Sequence, residues 1–177
     1  MEPYQTLNRQ EMYKGRIIDV VCDEITLPDG RAAYREMVVH GGASAIIPID
    51  SEGKLILVRQ YRHPAGELVL EIPAGMLEKG EDPAVCAARE LEEETGFRSA
   101  DIRFLFSMYS AIGFCNEVLY IYLAKDLEPG TMKLDEDEFV TVEHYTLPQA
   151  IDMIFSGGIK DSKTIAAILA YRQLQQP

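Results

Sequence analysis

The stretch "PAGMLEKGEDPAVCAARELEEETGF", residues 73–97, contains the features that decide the fold of this chain. Asp82 is a good N-cap residue, and Pro83 takes the first helical position, where its missing N–H group costs nothing. Gly96 suits the left-handed conformation that ends many helices. Together these features predict a helix over residues 83–95, entered from a glycine-bearing loop.

The acidic residues of this helix gather in its last turns. They are Glu90, Glu92, Glu93 and Glu94. Like charges four residues apart repel by roughly 0.2–0.5 kcal/mol, and an acid near a helix C-terminus is disfavoured by about 0.3–1 kcal/mol. A divalent cation would reverse the sign of these penalties, because carboxylate oxygens are the ligands that Mg²⁺ prefers. The cluster therefore predicts a metal site, and the alternative interpretation is a solvated acidic face.

The opposite side of the same helix is made mostly of small residues. With about 100° of rotation per residue, the residues that gather on this side are Ala84, Ala87, Ala88, Leu91 and Thr95. Small side chains let a helix approach its neighbour closely. Glu90 and Glu94 form an i,i+4 pair on one flank of this face, so we expect the acidic pair at the edge of the core.

Length and composition fit one domain, or one domain with a small appendage. The chain has 177 residues, of which 47% are hydrophobic, enough for a sizeable core. The formal net charge is −12, and a field of that sign repels the backbone of a nucleic acid, so we expect no nucleic-acid polymer as a partner. A small anionic ligand is compatible with this charge if arginines or metal ions bridge it to the acids.

We expect a cytoplasmic protein with no membrane segment. No apolar run approaches the roughly 18 residues of a membrane span. The first residues, "MEPYQTLNRQEMYKG", lack the basic region and apolar core of a secretory signal. Cys22, Cys86 and Cys115 are scattered without a CxxC pair, which suits free thiols in a reducing compartment.

The remaining pattern predicts a mixed α+β domain with antiparallel strands at its N-terminus. Two N-terminal strands, 15–27 and 32–40, are joined by the turn residues "PDG". Further strands are predicted at 43–49, 54–61, 102–109, 117–124 and 139–146, and residues 67–75 are predicted as a strand that runs into a glycine-bearing loop. Helices are predicted at 147–156 and 162–175, where apolar residues recur at helical spacing.

Residues 73–97 also resemble the Nudix box, a pattern of glycine, glutamate, arginine and apolar positions at fixed spacing. The matching positions are Gly75, Glu81, Arg89, Glu90, Leu91, Glu93, Glu94, Gly96 and Phe97. Nine constrained positions at fixed spacing make a specific signal. Resemblance to the Nudix hydrolases implies a loop–helix–loop on an α/β/α sandwich with a mixed sheet. It also implies Mg²⁺- or Mn²⁺-dependent hydrolysis of a nucleoside diphosphate linked to another group.

The same resemblance implies roles for the residues of the box. Glu90 and Glu94 would be the main metal ligands, and the backbone carbonyl of Ala74 would be an additional ligand. Glu93 would be a further ligand or an acid that orients water. Arg89 would hold a box glutamate in place, or else form an ordinary ion pair on the helix surface.

Outside the box, most of the chain resembles the bacterial ADP-ribose pyrophosphatase branch of the family. The segments that carry this likeness are "REMVVH" (35–40), "VRQYR" (58–62), "LEIPAG" (70–75) and "LDEDEF" (134–139). The branch hydrolyses ADP-ribose to AMP and ribose 5-phosphate. By this likeness Arg35 and Arg62 contact the nucleotide or the pyrophosphate, the alternative being surface charge on strands. Gly113 and Glu117 are retained from the segment beside the terminal sugar and are candidate substrate contacts.

A carboxylate on a loop outside the box acts as the general base in this branch. The corresponding loop here is "DEDEF", residues 135–139. We predict Glu138 as the base, with Glu136 as the fallback and a solvated acidic loop as the alternative. A carboxylate would gain basicity only if burial or neighbouring acids raise its pKa.

One departure from the branch concerns the segment "SAIGFCNE", residues 110–117. The branch has a proline in a Ser-Pro-Gly-Phe sequence, and Ile112 stands in its place. Because proline rigidifies a loop, this change puts specificity for ADP-ribose in question. The alternative is a GDP-mannose or other nucleotide-sugar pyrophosphatase, and a second alternative is a non-catalytic Nudix domain that senses a nucleotide.

The likeness also implies a division of the chain and an assembly. We expect an N-terminal β segment over residues 1–41 and a Nudix hydrolase domain over residues 42–177. A two-stranded hairpin is marginal alone, and in similar proteins this segment crosses to a second subunit. We therefore expect a homodimer in which residues 1–41 contribute to dimerisation and to substrate contact.

Overall fold

The computed structural model of the protein describes residues 4–134, 136 and 138–176. The chain divides into two compact units. The first comprises residues up to Gly42 together with Tyr109–Val118, and the second comprises Ala43–Met108 and the residues from Leu119 onward. Within the described ranges, no helix is long and apolar enough to cross a membrane.

The first unit is built on a three-stranded antiparallel sheet. Its strands are β1 (Gln5–Lys14), β2 (Asp19–Thr26) and β3 (Ala32–Val39), in the order β1-β2-β3. The two strands predicted at 15–27 and 32–40 are confirmed as β2 and β3, whereas β1, which precedes them, was not predicted. β1 has no buried stripe, because every one of its residues is exposed, so its sequence lacks the pattern by which strands are recognised.

Pairing with β2 holds β1 in place. Arg9 of β1 donates from Nε and Nη2 to the two carboxylate oxygens of Asp23 in β2, each at 2.7 Å. Asp23 is only 7% exposed. The hydrogen bonds from Arg9 lower the pKa of Asp23, so the buried acid is kept as a charged partner within the sheet.

The remaining strands form two sheets. They are β4 (Ala43–Pro48), β5 (Leu55–Arg62), β6 (Glu67–Glu71), β7 (Ala74–Met76), β8 (Phe97–Tyr109), β9 (Val118–Pro129) and β10 (Val140–Tyr145). One sheet has the order β10-β5-β6 and the other has the order β7-β4-β9-β8. The second is mixed, because β4 runs parallel to β9 and antiparallel to β7.

Residues 67–75, predicted as a strand that runs into a loop, contain β6 and the start of β7, which lie in different sheets. β6 pairs with β5, whereas β7 pairs with β4. Pro73 lies between them, and a proline has no N–H group to donate to a sheet. Its carbonyl instead accepts from Ile46 N–H at 2.9 Å, which brings the chain onto β4 just before the acidic helix.

The helices match their predicted ranges to within one residue. They are α1 (Pro83–Thr95), α2 (Leu147–Ser156) and α3 (Ser162–Leu174). Each begins at a polar N-cap whose side chain accepts a backbone hydrogen bond, and these caps are Asp82, Thr146 and Asp161. The sequence-based prediction of α1 used the cap at Asp82, whereas α2 and α3 were predicted from the helical spacing of their apolar residues.

The helices cover both faces of the mixed sheet. Ile46 of β4 packs with Ala87 and Leu91 of α1. Its neighbours Ala45 and Ile47 belong to the larger cluster, which contains buried residues of α2 and α3. Because successive strand residues point to opposite faces, α1 lies on one side and α2 and α3 on the other. This confirms the predicted α/β/α sandwich.

Candidate active site

The last turns of α1 place two carboxylates one helical turn apart at the edge of the core. Glu90 is 9% exposed and Glu94 is 2% exposed. Glutamates are almost never buried to this degree without a partner. These two acids therefore do not belong to a solvated face, and their surroundings decide what the site can bind.

Glu94 faces the chain that precedes the helix. Its Oε2 accepts a hydrogen bond of 3.1 Å from the backbone N–H group of Ala74. Burial, and then the charge of Glu90, raise the pKa of Glu94 to about 8, while the Ala74 N–H group opposes this shift. A carboxylate in such surroundings would be stabilised by a nearby positive charge.

Glu90 lies against the glycine of the same preceding segment. A Cβ atom at Gly75 would stand 1.7 Å from Glu90 Oε1, so the carboxylate can take this position only beside a glycine. Burial raises the pKa of Glu90, and the Arg89 guanidinium opposes that rise. Because Ala74 and Gly75 belong to β7, which is paired with β4, the backbone beside both acids is fixed by a sheet.

Arg89 connects the acids of the site. Its Nη1 donates to Glu90 Oε1 at 2.5 Å and to Glu93 Oε2 at 3.0 Å. Its Nε and Nη2 donate to the Glu81 carboxylate at 3.1 and 3.2 Å, and Nη2 also donates to the Met76 carbonyl at 3.2 Å. Arg89 thus holds the box glutamates in place and ties α1 to the preceding loop.

The donor atoms of the site suit a hard divalent cation. Among residues 4–134, 136 and 138–176, no three acidic, histidine or cysteine side chains converge closely enough to form a ready-made ion site. The contacts explain why, since Glu90 is turned towards Arg89 and Glu94 towards the Ala74 N–H group. The site nevertheless offers oxygens from two buried carboxylates whose pKa values are raised, and oxygen donors are what Mg²⁺ takes.

The predicted base belongs to the loop before β10. Glu136 is exposed and Glu138 is half-buried, whereas Asp135 and Asp137 lie outside the described residues. The charge of Glu138 contributes to the raised pKa values of both Glu90 and Glu94. Glu138 is therefore within electrostatic reach of the two buried acids of α1.

Arg62 takes part in a buried charge network that the sequence did not reveal. Its Nε and Nη2 donate to the carboxylate of Glu71 at 2.7 and 2.9 Å. Glu71 is 2% exposed and also accepts from Lys163 at the start of α3. The charge of Glu94 helps to raise the pKa of Arg62, after the larger effect of Glu71. The one sequence feature that could have signalled this network is a lone glutamate inside the apolar run at 68–72.

Arg35, Gly113 and Glu117, the other predicted substrate residues, lie in the first unit. Arg35 is exposed on β3, where its Nη1 donates to the Tyr34 carbonyl at 2.8 Å. Tyr34 is itself 67% exposed. This part of β3 therefore presents a cation and an aromatic ring to solvent.

The segment that contains Gly113 and Glu117 is joined to the end of β3. Val38 N–H donates to the Phe114 carbonyl at 2.7 Å, and Asn116 N–H donates to the Val38 carbonyl at 3.2 Å. The side chain at position 112, where the resemblance expects a proline, is an isoleucine that is 69% exposed. The structure thus brings Gly113 and Glu117 to the strand that carries Arg35.

The sequence matches the NUDIX domain family over residues 39–168. The methanol dehydrogenase activator of Bacillus methanolicus is 43% identical, over 97% of this chain and 94% of that protein. An ADP-ribose pyrophosphatase of Bacillus subtilis (strain 168) is 41% identical, over 97% of this chain and 94% of that protein. A GDP-mannose pyrophosphatase of Escherichia coli O1:K1 / APEC is 30% identical, over 85% of this chain and 84% of that protein.

The fold is shared with a solved structure described as an ADP compounds hydrolase. The two superpose with a TM-score of 0.87 at 24% sequence identity, over 98% of this chain and 95% of the other. At that level of identity the likeness bears on the fold alone.

Proposed function

This chain belongs to the NUDIX family and is a Nudix pyrophosphohydrolase, and we propose that its substrate is ADP-ribose, which it converts to AMP and ribose 5-phosphate. The observation that carries the proposal is the buried pair Glu90 and Glu94 beside the Ala74–Gly75 backbone. Such a pair is destabilising without a cation and is suited to binding a metal-complexed pyrophosphate. The substrate is proposed from the relative with that name, which aligns along nearly the whole chain.

Family membership implies that the reaction depends on a divalent metal, and we propose Mg²⁺, with Mn²⁺ able to substitute. Glu90 and Glu94 would hold it, with the Ala74 carbonyl as an additional ligand and Glu93 as a further ligand or water-orienting acid. The bound metal would neutralise the charge that develops on the phosphate and polarise the attacking water.

In the proposed reaction Glu138 is the general base. It takes a proton from water as the water oxygen bonds to a pyrophosphate phosphorus, and the bond from that phosphorus to the bridging oxygen breaks. Glu136 is the fallback. Two observations favour Glu138, namely its partial burial and the effect of its charge on the pKa values of Glu90 and Glu94.

Cationic and polar residues outside the box would bind the nucleotide. We propose that Arg62, held by Glu71, contacts the pyrophosphate, and that Arg35 contacts the nucleotide. Gly113 and Glu117 would line the part of the site that receives the terminal sugar. Each of these roles predicts a raised KM on substitution rather than a loss of metal binding.

We further propose a cytoplasmic homodimer whose N-terminal segment, residues 1–41, contributes to dimerisation and substrate contact. Every residue of β1 is exposed, including Leu7, Met12 and Tyr13, each close to 60%. Exposed apolar side chains in one strand favour a partner surface. Light scattering should give twice the mass of one chain, and a mass near 19.9 kDa in the active fraction would contradict the dimer.

A nucleotide-sugar pyrophosphatase that prefers GDP-mannose is the alternative substrate assignment. Ile112 favours it, because this exposed residue replaces the proline that would stiffen the sugar loop. A looser loop should weaken discrimination more than it weakens activity. Ile112→Pro should therefore sharpen the preference for ADP-ribose over GDP-mannose, and an unchanged preference would argue against this role for the loop.

Two further candidate functions would not require turnover of ADP-ribose. One is a nucleotide sensor, which the intact set of box glutamates disfavours. The other is an activator of a dehydrogenase, because a relative with that name is 43% identical. The hydrolase is tested directly by incubating the protein with ADP-ribose in the presence of Mg²⁺, adding a phosphatase and measuring the phosphate released. No release would favour the sensor, and stimulation of a purified methanol dehydrogenase by a non-hydrolysing protein would favour the activator.

A further inference from the structure

The chain between β9 and the loop of Glu138 is hydrogen-bonded to the C-terminal end of α1. We call residues 129–134 the anchored segment. Gly130 N–H donates to the Gly96 carbonyl at 2.7 Å, and Lys133 N–H donates to the Glu93 carbonyl at 3.0 Å. These bonds satisfy carbonyls that a helix end leaves without a partner, so the anchored segment acts as a cap on the helix.

A third bond to the anchored segment comes from a side chain. Glu92 Oε1 accepts from the Thr131 N–H group at 3.1 Å. Glu92 also lies 3.8 Å from Arg98, whose Nη2 donates to the Pro129 carbonyl at 3.4 Å. One acidic side chain of α1 therefore holds the anchored segment directly.

The close approach depends on a glycine. A Cβ atom at Gly130 would stand 2.8 Å from Glu92 Oε1 and 3.0 Å from Arg98 Cγ. A side chain at this position would push the Glu92 carboxylate away from Thr131. The contact between Glu92 and the anchored segment thus requires both the Glu92 carboxylate and a glycine at position 130.

Glu92 is not explained by the metal site. It lies two positions along the chain from Glu90 and two from Glu94, and an offset of two positions corresponds to about 200° around a helix. Those two acids are buried, whereas the Glu92 side chain is 35% exposed. The Nudix pattern also leaves this position unconstrained, so the acidic residue here needs a separate reason.

The anchored segment leads directly into the loop that carries the proposed base. It ends at Leu134, four residues before Glu138. The place of Glu138 relative to Glu90 and Glu94 is therefore set in part by where the anchored segment is attached. A displacement of only 1 Å at a reacting group can cost about 100-fold in rate.

We propose that Glu92 is a positioning residue, whose carboxylate fixes the anchored segment on α1 and thereby sets the place of Glu138. This inference rests on the proposed function, in which Glu138 is the base. It explains why the last turns of α1 contain Glu92, an acidic residue that has no proposed role in metal binding.

The test compares Glu92→Ala with Glu92→Gln. Glutamine retains an oxygen that can accept from Thr131 N–H, so it should keep kcat near the original value. Alanine should lower kcat by roughly 10-fold to 100-fold, with the KM for ADP-ribose and the Kd for Mg²⁺ changed less than about threefold. Glu128→Ala, which removes another exposed acid, is the control for net charge.

Gly130→Ala is a second variant that reaches the same contact from the other side. It should lower kcat in the original protein and have a smaller effect in the Glu92→Ala background, because one contact cannot be lost twice. Three results would each overturn the positioning role. They are additive losses of kcat in the double variant, equal losses of kcat in Glu92→Ala and Glu92→Gln, and a rise of the Kd for Mg²⁺ that parallels the loss of kcat.

Hydrogen exchange of the Thr131 amide separates this inference from the proposed function. Exchange should be faster in Glu92→Ala and unchanged in Glu92→Gln, whatever the substrate is. If the original protein does not cleave ADP-ribose, the proposed function fails. The exchange of the Thr131 amide would still show whether Glu92 holds the anchored segment on α1. Unchanged exchange in Glu92→Ala would overturn the inference even in an active enzyme.

Discussion

The Glu90 carboxylate lies so close to Gly75 that a methyl group on the glycine would stand 1.7 Å from Glu90 Oε1. The glycine and the glutamate are separated by a loop and two turns of helix, yet their positions depend on each other. A side chain at residue 75 would meet the Glu90 side chain first, because its three nearest atoms all belong to the flexible end of that glutamate. It would displace a proposed metal ligand instead of unfolding the sheet.

Gly75→Ala should therefore act on metal binding more than on stability. We expect the Kd for Mg²⁺ to rise at least about tenfold, which corresponds to about 1.4 kcal/mol, because Glu90 has to turn away. Titration calorimetry gives the Kd, and circular dichroism shows whether the fold is retained. Gly158→Ala is the matched control, since its nearest neighbours would be at an ordinary contact distance of 3.5 Å. Unchanged Mg²⁺ affinity in Gly75→Ala would contradict the assignment of Glu90.

The raised pKa of Glu94 predicts how Mg²⁺ affinity depends on pH. Burial and the charge of Glu90 raise this pKa to about 8 from an ordinary value of 4.5, so protons compete with the metal below pH 8. Affinity should rise by up to about tenfold per pH unit towards pH 8 and then level off, because binding displaces a proton. Glu94→Gln should bind more weakly and show a smaller slope. Affinity that is the same at pH 6 and pH 8 would contradict this account of the site.

The free energy of unfolding of the metal-free protein should also depend on the titration of Glu94. It should fall as the pH rises, whereas the affinity for Mg²⁺ should rise. A carboxyl group whose pKa is raised on folding stabilises the fold fully below its unfolded pKa, and that stabilisation is lost as the pH rises through the folded pKa. The metal-free protein should therefore lose stability between about pH 4.5 and pH 8 through Glu94. Urea unfolding of Glu94→Gln should lack this loss, and a steeper loss in the variant would count against it.

Glu138→Gln should lower kcat by roughly 10²–10⁴-fold, the usual contribution of a general base. Its effect on the Kd for Mg²⁺ should be small, since Glu138 is a proposed base and not a ligand. Glu136→Gln is the matched comparison, because it makes the same change at an exposed position two residues away. If Glu136→Gln is the slow variant, the base is Glu136. If neither is slow, a box glutamate such as Glu93 becomes the stronger candidate.

Glu71→Gln should destabilise the fold strongly. Burial alone would raise the pKa of Glu71, but Arg62 and Lys163 outweigh it and hold this pKa below its ordinary value. Removing the negative charge leaves Arg62 without its hydrogen-bonded carboxylate and Lys163 with Asp161 as its remaining acidic partner, at a cost of roughly 3 kcal/mol, the lower end for buried pairs because the Arg62 side chain is 43% exposed. Urea unfolding at neutral pH measures the loss.

Glu67→Gln is the control on the same strand. Glu67 pairs with Lys160 at the surface, where both side chains are about half exposed or more, so its loss should cost less than about 0.5 kcal/mol. The stabilisation from Glu71 should be present above its unfolded pKa and should disappear as the pH falls through the lower folded pKa. Equal losses in the two variants would contradict a special role for Glu71.

The helices and the box could be predicted from the sequence because their determinants are local. Asp82, Pro83 and Gly96 are next to the helix whose ends they set, and the box pattern fixes Glu90 and Glu94 one turn apart. β1 could not be predicted, because none of its residues is buried and only its pairing with β2 makes it a strand.

Contacts between distant residues were the part of the site that the sequence did not reveal. Glu71 meets Lys163 across 92 residues, and Glu92 meets Thr131 across 39 residues. Neither pair follows a helical or strand period, so no pattern predicts it. The spacing predicted which acids gather on α1, and only the tertiary structure distinguishes the buried pair from the acid that holds the neighbouring segment.

The central claim is tested most directly by kcat/KM for ADP-ribose with Mg²⁺ present and after chelation, with GDP-mannose measured alongside. We predict that ADP-ribose gives AMP and ribose 5-phosphate, that chelation abolishes the reaction and that added Mg²⁺ restores it. GDP-mannose should be cleaved within about two orders of magnitude of ADP-ribose, or roughly 2.7 kcal/mol in transition-state binding. Cleavage of GDP-mannose without cleavage of ADP-ribose would contradict the substrate, and no cleavage of either with Mg²⁺ present would contradict the hydrolase itself.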